Sequence, residues 1–123
     1  MRPRRVLLVE DDPDTATGLQ LLLEHRGYTV AIILDGNSAL QAVADFLPDV
    51  IVCDLTLAGA VDGHSIAAAL RGHPTLRSIR RVALSGHADE GTRQLAHASG
   101  FDSYLVKPVA LEALESALGT CSI

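Results

Sequence analysis

The sequence predicts an α/β domain of five β-α repeats around a parallel sheet, and three observations predict it. Short apolar, β-branched runs recur five times; they are continuous rather than alternating, as in strands buried on both faces; and each is followed by a segment of helical period. The first run is Val6 to Val9, and the helix after it carries Ala16, Leu19, Leu22 and Leu23 on one face. Asp12 supplies an N-cap with Pro13 at the first helical position, and Gly27 stands where a left-handed residue ends the helix. Tyr28 to Ile33 forms the second strand, and Leu40, Val43, Ala44 and Leu47 mark a second helix closed by Pro48. Val50 to Cys53 is the third strand, followed by the periodic set Ile66, Ala67 and Leu70. Val82 to Leu84 is the fourth, followed by Leu95, Ala96 and Ala98, with Gly100 as terminator. Ser103 to Val106 is the fifth, and Leu111, Leu114 and Leu118 face the core from the last helix.

Strict alternation of strand and helix implies right-handed crossovers with helices on both faces of the sheet. Five strands favour a flavodoxin-like (βα)5 three-layer sandwich with strand order 2-1-3-4-5. Working sites in such sheets lie beyond the carboxyl ends of the strands, where the strand order reverses.

Composition narrows the function. A chain of 123 residues with 48% hydrophobic and 20% charged residues is expected to form one domain over 1–123. Fifteen acidic against ten basic side chains leave a net charge of −5, and the arginines form no extended basic face, so direct nucleic-acid binding is not expected. The uncharged apolar stretches around Tyr28 to Leu34 and Leu55 to Val61 fall short of the roughly 18 residues of a membrane helix. Arg2, Arg4 and Arg5 resemble the charged start of a signal peptide, but Glu10, Asp11 and Asp12 interrupt the apolar run, so no export signal is read. Cys53 and Cys121 make neither a metal-like spacing nor a disulfide framework, which fits a cytoplasmic protein. His25, His64, His73, His87 and His97 show no ligand spacing, and the acidic turn after the first strand is no phosphate-cradling loop.

The chemistry gathers at the strand ends. Glu10, Asp11 and Asp12 follow the first strand, Asp54 the third, Ser85 and Gly86 the fourth, and Lys107 and Pro108 the fifth. Each alone has an ordinary reading as a cap or turn residue. Together they bring carboxylates, a hydroxyl and an ammonium into one crevice. Crowded carboxylates repel one another unless a cation sits among them, and an oxygen-lined site with few protein ligands suits Mg²⁺. Lys107 is the only lysine in the chain, and its compact ammonium suits a point contact to a phosphoryl oxygen better than a guanidinium fork does. The base rate for X-Pro makes Lys107–Pro108 trans; a cis bond is the alternative that would aim Lys107. Asp12 is read as the helix cap rather than a third ligand, and Cys53 as a buried strand thiol.

These residues resemble the receiver domains of two-component response regulators over nearly the whole chain. Val6-Leu7-Leu8-Val9-Glu10-Asp11-Asp12 is similar to the opening strand with its acidic pair, and Asp54-Leu55-Thr56-Leu57 with Asp62-Gly63 to the phosphoacceptor loop. Ala83-Leu84-Ser85-Gly86 resembles the switch strand, and Tyr104-Leu105-Val106-Lys107-Pro108 the Lys-Pro signature. The resemblance implies that Asp54 accepts a phosphoryl group and that Glu10, Asp11, Asp54 and the Thr56 backbone carbonyl hold Mg²⁺. It further implies that Ser85 and Lys107 contact the phosphoryl oxygens, and that Ser85 and Tyr104 form the switch. Ala58 departs from the proline common at that place in the family, and Ser85 replaces the commoner threonine.

The expected function is therefore that of a signalling switch, not a turnover enzyme. It takes its phosphoryl group from phosphohistidine on a histidine kinase or histidine phosphotransfer domain, with phosphorylation-dependent self-association as a further output. Two alternatives differ in class. A Mg²⁺ phosphatase with an aspartyl-phosphate intermediate would carry Asp-x-Asp-x-Thr after the first strand, and Asp12-Pro13-Asp14-Thr15-Ala16 misses the threonine by one position. A receiver-like binding module that works without phosphorylation would not need Glu10, Asp11, Asp54, Ser85 and Lys107 together.

Overall fold

The computed structural model describes residues 4–57 and 61–119. Its elements run β1 (Arg5–Val9), α1 (Pro13–His25), β2 (Thr29–Ile33), α2 (Ala39–Phe46), β3 (Val50–Asp54), α3 (Gly63–Arg71), β4 (Arg80–Ser85), α4 (Glu90–Ser99), β5 (Ser103–Val106) and α5 (Leu111–Leu118). The sheet has five parallel strands in the order β2-β1-β3-β4-β5, as the alternation predicts. Arg2, Ala58 and Cys121 lie outside the described residues, so the departure at Ala58 and the reading of Cys121 are not addressed by the structure.

Continuous apolar strands make sense because successive side chains serve opposite layers. Val6 and Leu8 of β1, Val50 and Val52 of β3, and Val82 and Leu84 of β4 pack with Leu23, Leu114 and Leu118 from α1 and α5. Leu7, Val9, Ile51, Cys53 and Ala83 point the other way, onto Val43, Ile66, Leu70 and Ala96 from α2, α3 and α4. Both layers exclude water, which is the main stabilising contribution at roughly 25 cal/mol per Å² of apolar surface buried.

Local signals at the helix ends also hold. Asp12 caps α1 by accepting from the Thr15 N–H, with Pro13 beginning the helix, and Gly27 and Gly100 have φ of 94° and 116°. Two further caps were not anticipated: Asp62 accepts from Ser65 N at 2.9 Å, and Asp89 from Thr92 N at 2.9 Å. The helix faces are where expectation and structure part. Leu22, Leu40, Ala44, Leu47, Leu95 and Ala98 are exposed; in α2 Val43 faces the core as expected, joined by Ala39, Ala42 and Phe46 rather than by Leu40, Ala44 and Leu47. The Lys107–Pro108 bond is cis, against the trans base rate.

Arginines do structural work that composition does not show. Arg4 donates to the carbonyls of Leu118 and Gly119 at 2.8 and 2.7 Å, and Arg80 to that of Ala117 at 2.5 Å, so α5 ends on two guanidinium groups. Arg81 is buried, and it donates to Gly100 O at 2.6 Å, Arg77 O at 2.9 Å and Ile79 O at 3.2 Å. Hydrogen bonds to charged groups contribute about 1.5–3 kcal/mol each net of exchange with water, and losing the donor leaves buried acceptors unsatisfied. Arg81→Met is therefore expected to lower unfolding stability by about 2–4 kcal/mol in urea denaturation. An unchanged midpoint would show that those carbonyls find water instead.

Candidate functional site

Strand register assembles the site. Val9 of β1 pairs with Cys53 of β3, so Glu10 leaves the sheet beside Asp54. Ser85 of β4 pairs with Val106 of β5, so Lys107 leaves beside Ser85. Backbone bonds carry the order one residue past each strand: Glu10 N donates to Ile33 O at 3.0 Å, Leu55 N to Leu84 O at 2.9 Å, and Lys107 N to Ser85 O at 2.8 Å. The neighbours of β1 on its two sides are β2 and β3, which makes the crevice beside Glu10 and Asp54 the point of strand reversal.

Lys107 Nζ lies 2.6 Å from Glu10 Oε1 and 2.6 Å from Asp54 Oδ2, one ammonium bridging two carboxylates from different strands. The other Asp54 oxygen accepts the Thr56 N–H at 2.9 Å, and Glu10 Oε2 accepts the Asp12 N–H at 3.3 Å. Asp11 completes the group: one carboxylate oxygen from each of Glu10, Asp11 and Asp54 can be chosen so that all lie within 4.8 Å of one another. Glu10 and Asp54 are buried and Asp11 is half-buried.

Electrostatics follow from that crowding. Burial pushes the Glu10 carboxyl up from 4.5 to about 7, the neighbouring Asp54 adding to the rise and Lys107 opposing it. Burial works against the charge on Lys107, but its bonds to Asp54 and Glu10 outweigh burial and raise its pKa. Burial, with Asp54 adding, pushes the Cys53 thiol well up, as suits an inert strand residue rather than a nucleophile. Among the described residues, three carboxylates gather around one ammonium in a crevice lined by oxygen donors. That donor set fits a hard divalent cation.

The structure thus brings together Glu10, Asp11, Asp54 and Lys107. Thr56 stands at the turn beyond Asp54, where its N–H orients the carboxylate. Ser85 is buried at the end of β4, and its Oγ accepts the His87 N–H at 3.0 Å. Tyr104 on β5 donates its hydroxyl proton to the His87 carbonyl, and the Arg93 guanidinium of α4 lies 4.9 Å from its ring centroid. His87 is exposed and its part is played by the peptide groups rather than the ring, which residue-type reasoning had no means to find. Asp12 and Asp14 belong to the cap and first turn of α1, so the phosphatase-like pair is built into a helix start.

A doubly wound domain with a lysine-bridged acidic crevice at its switch point defines a narrow class of α/β protein, and comparison with known proteins places the chain within it. The model of the response regulator receiver domain matches residues 6–119, and the chain belongs to that family. It is 36% identical over 104 residues to an uncharacterised 14.6 kDa protein of Leptolyngbya boryana, covering 85% of this chain and 79% of that one. It is 35% identical over 105 residues to the DNA-binding response regulator MtrA of Mycolicibacterium smegmatis, covering 85% of this chain but 44% of MtrA. The chain therefore spans less than half of that longer relative. The receiver domain of the sensor histidine kinase PA1611 from Pseudomonas aeruginosa superposes with a TM-score of 0.85 at 30% identity over 94% of each chain. That structure carries a magnesium ion in its active-site cleft. A receiver domain of a signal transduction histidine kinase from Syntrophus aciditrophicus gives 0.84 at 29% identity, covering 98% and 96%.

The raised pKa of Glu10 has a consequence for stability. Because the folded value lies above the unfolded one, the folded state holds the proton more tightly. Its contribution is complete below about pH 4.5 and is lost as pH rises through about 7. In EDTA, the stability of the native sequence relative to Glu10→Gln is expected to fall by on the order of 2–3 kcal/mol from about pH 4 to about pH 8 in urea denaturation. A pH-independent difference would contradict the burial of Glu10 beside Asp54.

Proposed function

We propose that this receiver domain takes a phosphoryl group from phosphohistidine on a histidine kinase or histidine phosphotransfer domain onto Asp54. The observation that supports it best is the position of Asp54, whose two oxygens are held by Lys107 and the Thr56 N–H beside the Glu10–Asp11 pair. An Asp54 oxygen forms the new P–O bond in line as the donor's P–N bond breaks, and the bonding pair returns to the imidazole nitrogen. Lys107 contributes by exchanging part of its contact with Asp54 for one to a phosphoryl oxygen, where negative charge is concentrated. Glu10, Asp11, Asp54 and the Thr56 carbonyl would hold Mg²⁺, which supplies further positive charge to the phosphoryl oxygens. Hydrolysis of the aspartyl phosphate by water returns the domain to its starting state. In this reading the domain is a cytoplasmic switch that catalyses its own modification.

Output follows from the residues beyond Asp54. The Ser85 hydroxyl, drawn to a phosphoryl oxygen, gives up its acceptance of the His87 N–H, and the same residue's carbonyl is the one that Tyr104 holds. A change at Ser85 is thereby passed to an aromatic ring against α4. A contact made only in the phosphorylated state is what moves a two-state element, and a bias of a few kcal/mol is enough. The surface from α4 through β5 to α5 is the one remodelled, with self-association or partner affinity as its readout.

Two measurements check this reading. Incubation with acetyl phosphate and Mg²⁺ should add a single phosphoryl group by intact mass, absent from Asp54→Asn; an adduct that persists in the variant would move the acceptor elsewhere. Ser85→Ala should still be modified at Asp54, yet lose the amide chemical-shift changes that beryllofluoride produces across α4 and β5. Distal shifts of wild-type size in that variant would remove Ser85 from the switch.

A further inference from the structure

The residues that enter α3 approach the backbone of β3 closely. Gly63, the first residue of α3, packs against the backbone of β3: a Cβ there would lie 2.6 Å from Asp54 O and 3.0 Å from Leu55 Cα. Asp62 fixes the same point from the other direction by capping α3 through Ser65 N. A second contact comes from a different part of the chain. Gly36, in the turn between β2 and α2, approaches Val61 so closely that a Cβ would lie 2.1 Å from Val61 O and 3.0 Å from its carbonyl carbon. Both atoms are backbone, so no side-chain rotation relieves the overlap. Gly36 is not among the glycines with positive φ; the close approach, rather than conformational freedom, is what demands glycine.

The turn that presents Gly36 is itself fixed. Asp35 Oδ1 accepts from Ser38 N at 2.8 Å, Oδ2 accepts the Ser38 hydroxyl at 3.3 Å, and Ala39 N donates to Gly36 O at 3.2 Å. Val61 is joined through Asp62 to Gly63, where there is no room for a Cβ beside the Asp54 carbonyl.

We propose that the turn from Asp35 to Ser38 buttresses the entry to α3, and that Gly36 is a positioning residue which sets the place of Val61 to Gly63 against the backbone of Asp54 and Leu55. Mg²⁺ affinity of the acidic site depends on that placement, because Gly63 packs against the Asp54 carbonyl and Leu55 Cα, the backbone that carries the Asp54 carboxylate and leads into Thr56. The proposal rests on the reading of the site as one that holds Mg²⁺.

The test compares Mg²⁺ titrations, followed by thermal shift from an EDTA baseline, for the native sequence, Gly36→Ala, Asp35→Ala, Asp35→Asn and Gly18→Ala. Amide chemical shifts of the metal-free proteins are recorded alongside. Gly36→Ala is expected to weaken Mg²⁺ binding by about tenfold or more, as loss of outer support does at metal sites, and to shift amides from Asp54 to Leu57 and from Val61 to Ser65 without metal. Asp35→Ala, which frees Ser38 N, should act in the same direction and less strongly. Asp35→Asn keeps the acceptor and should bind within twofold of the native protein. So should Gly18→Ala, whose added Cβ meets nothing within 4 Å. Should Gly36→Ala fail to fold, the Asp35→Ala and Asp35→Asn pair decides. Native affinity in both Gly36→Ala and Asp35→Ala would overturn the buttress alone, whereas absence of Mg²⁺ binding in the native protein would overturn the reading of the site and the buttress with it.

Discussion

One ammonium spanning two buried carboxylates is the interaction on which the site depends. Lys107 reaches Glu10 and Asp54 at 2.6 Å each, and the three residues come from the ends of β5, β1 and β3. Burying such charges is costly, and their mutual attraction offsets the cost only when geometry and additional hydrogen bonds are good. The fold meets that condition through register. Parallel pairing of Val9 with Cys53 sets the two carboxylates side by side, and pairing of Ser85 with Val106 delivers the lysine from the far edge of the sheet.

Three carboxylates gather around one lysine at the site, and burial of Glu10, with Asp54 beside it, raises the Glu10 pKa. A protein selected for stability alone would place apolar groups there. Clustered negative charge at strand ends has a use when a cation and a phosphoryl group are to be gathered at Asp54, so the local instability and the proposed activity have one origin. The strands are held between two apolar layers, while the residues of the proposed switch lie on the β4–β5 side: Ser85 ends β4, His87 follows it, and Tyr104 stands within β5.

The strands and the site were legible in the sequence for the same reason. A strand buried on both faces must be apolar throughout, so Val6 to Val9 and Val50 to Cys53 leave little choice, and polar residues that break such runs mark the strand ends directly. Helix faces were less legible. α2 carries apolar residues on two sides, so Leu40, Ala44 and Leu47 make as good a helical period as Ala39, Val43 and Phe46, and only docking against β1 and β2 decides between them. Leu22 and Leu95 were misread for a related reason, each lying next to the residue that is buried, Leu23 and Ala96. The arginines at 4, 80 and 81 were counted as charge, whereas their partners are carbonyls up to 115 positions away. His87 and Gly36 act through backbone atoms, and no residue-type pattern reports where a backbone will be approached.

In the proposed function Lys107 is a point charge shared among Glu10, Asp54 and an incoming phosphoryl oxygen, a role that depends on shape as well as sign. Lys107→Arg keeps the charge and replaces the compact ammonium with a planar fork. The direct measurement is the rate of Asp54 phosphorylation from acetyl phosphate at saturating Mg²⁺, with folding verified by the unfolding midpoint. The variant is expected to fold and its rate to fall by about tenfold or more, equivalent to roughly 1.4 kcal/mol or more of lost transition-state stabilisation. A rate equal to that of the native protein would contradict it and leave Lys107 as a structural counter-ion for Glu10 and Asp54.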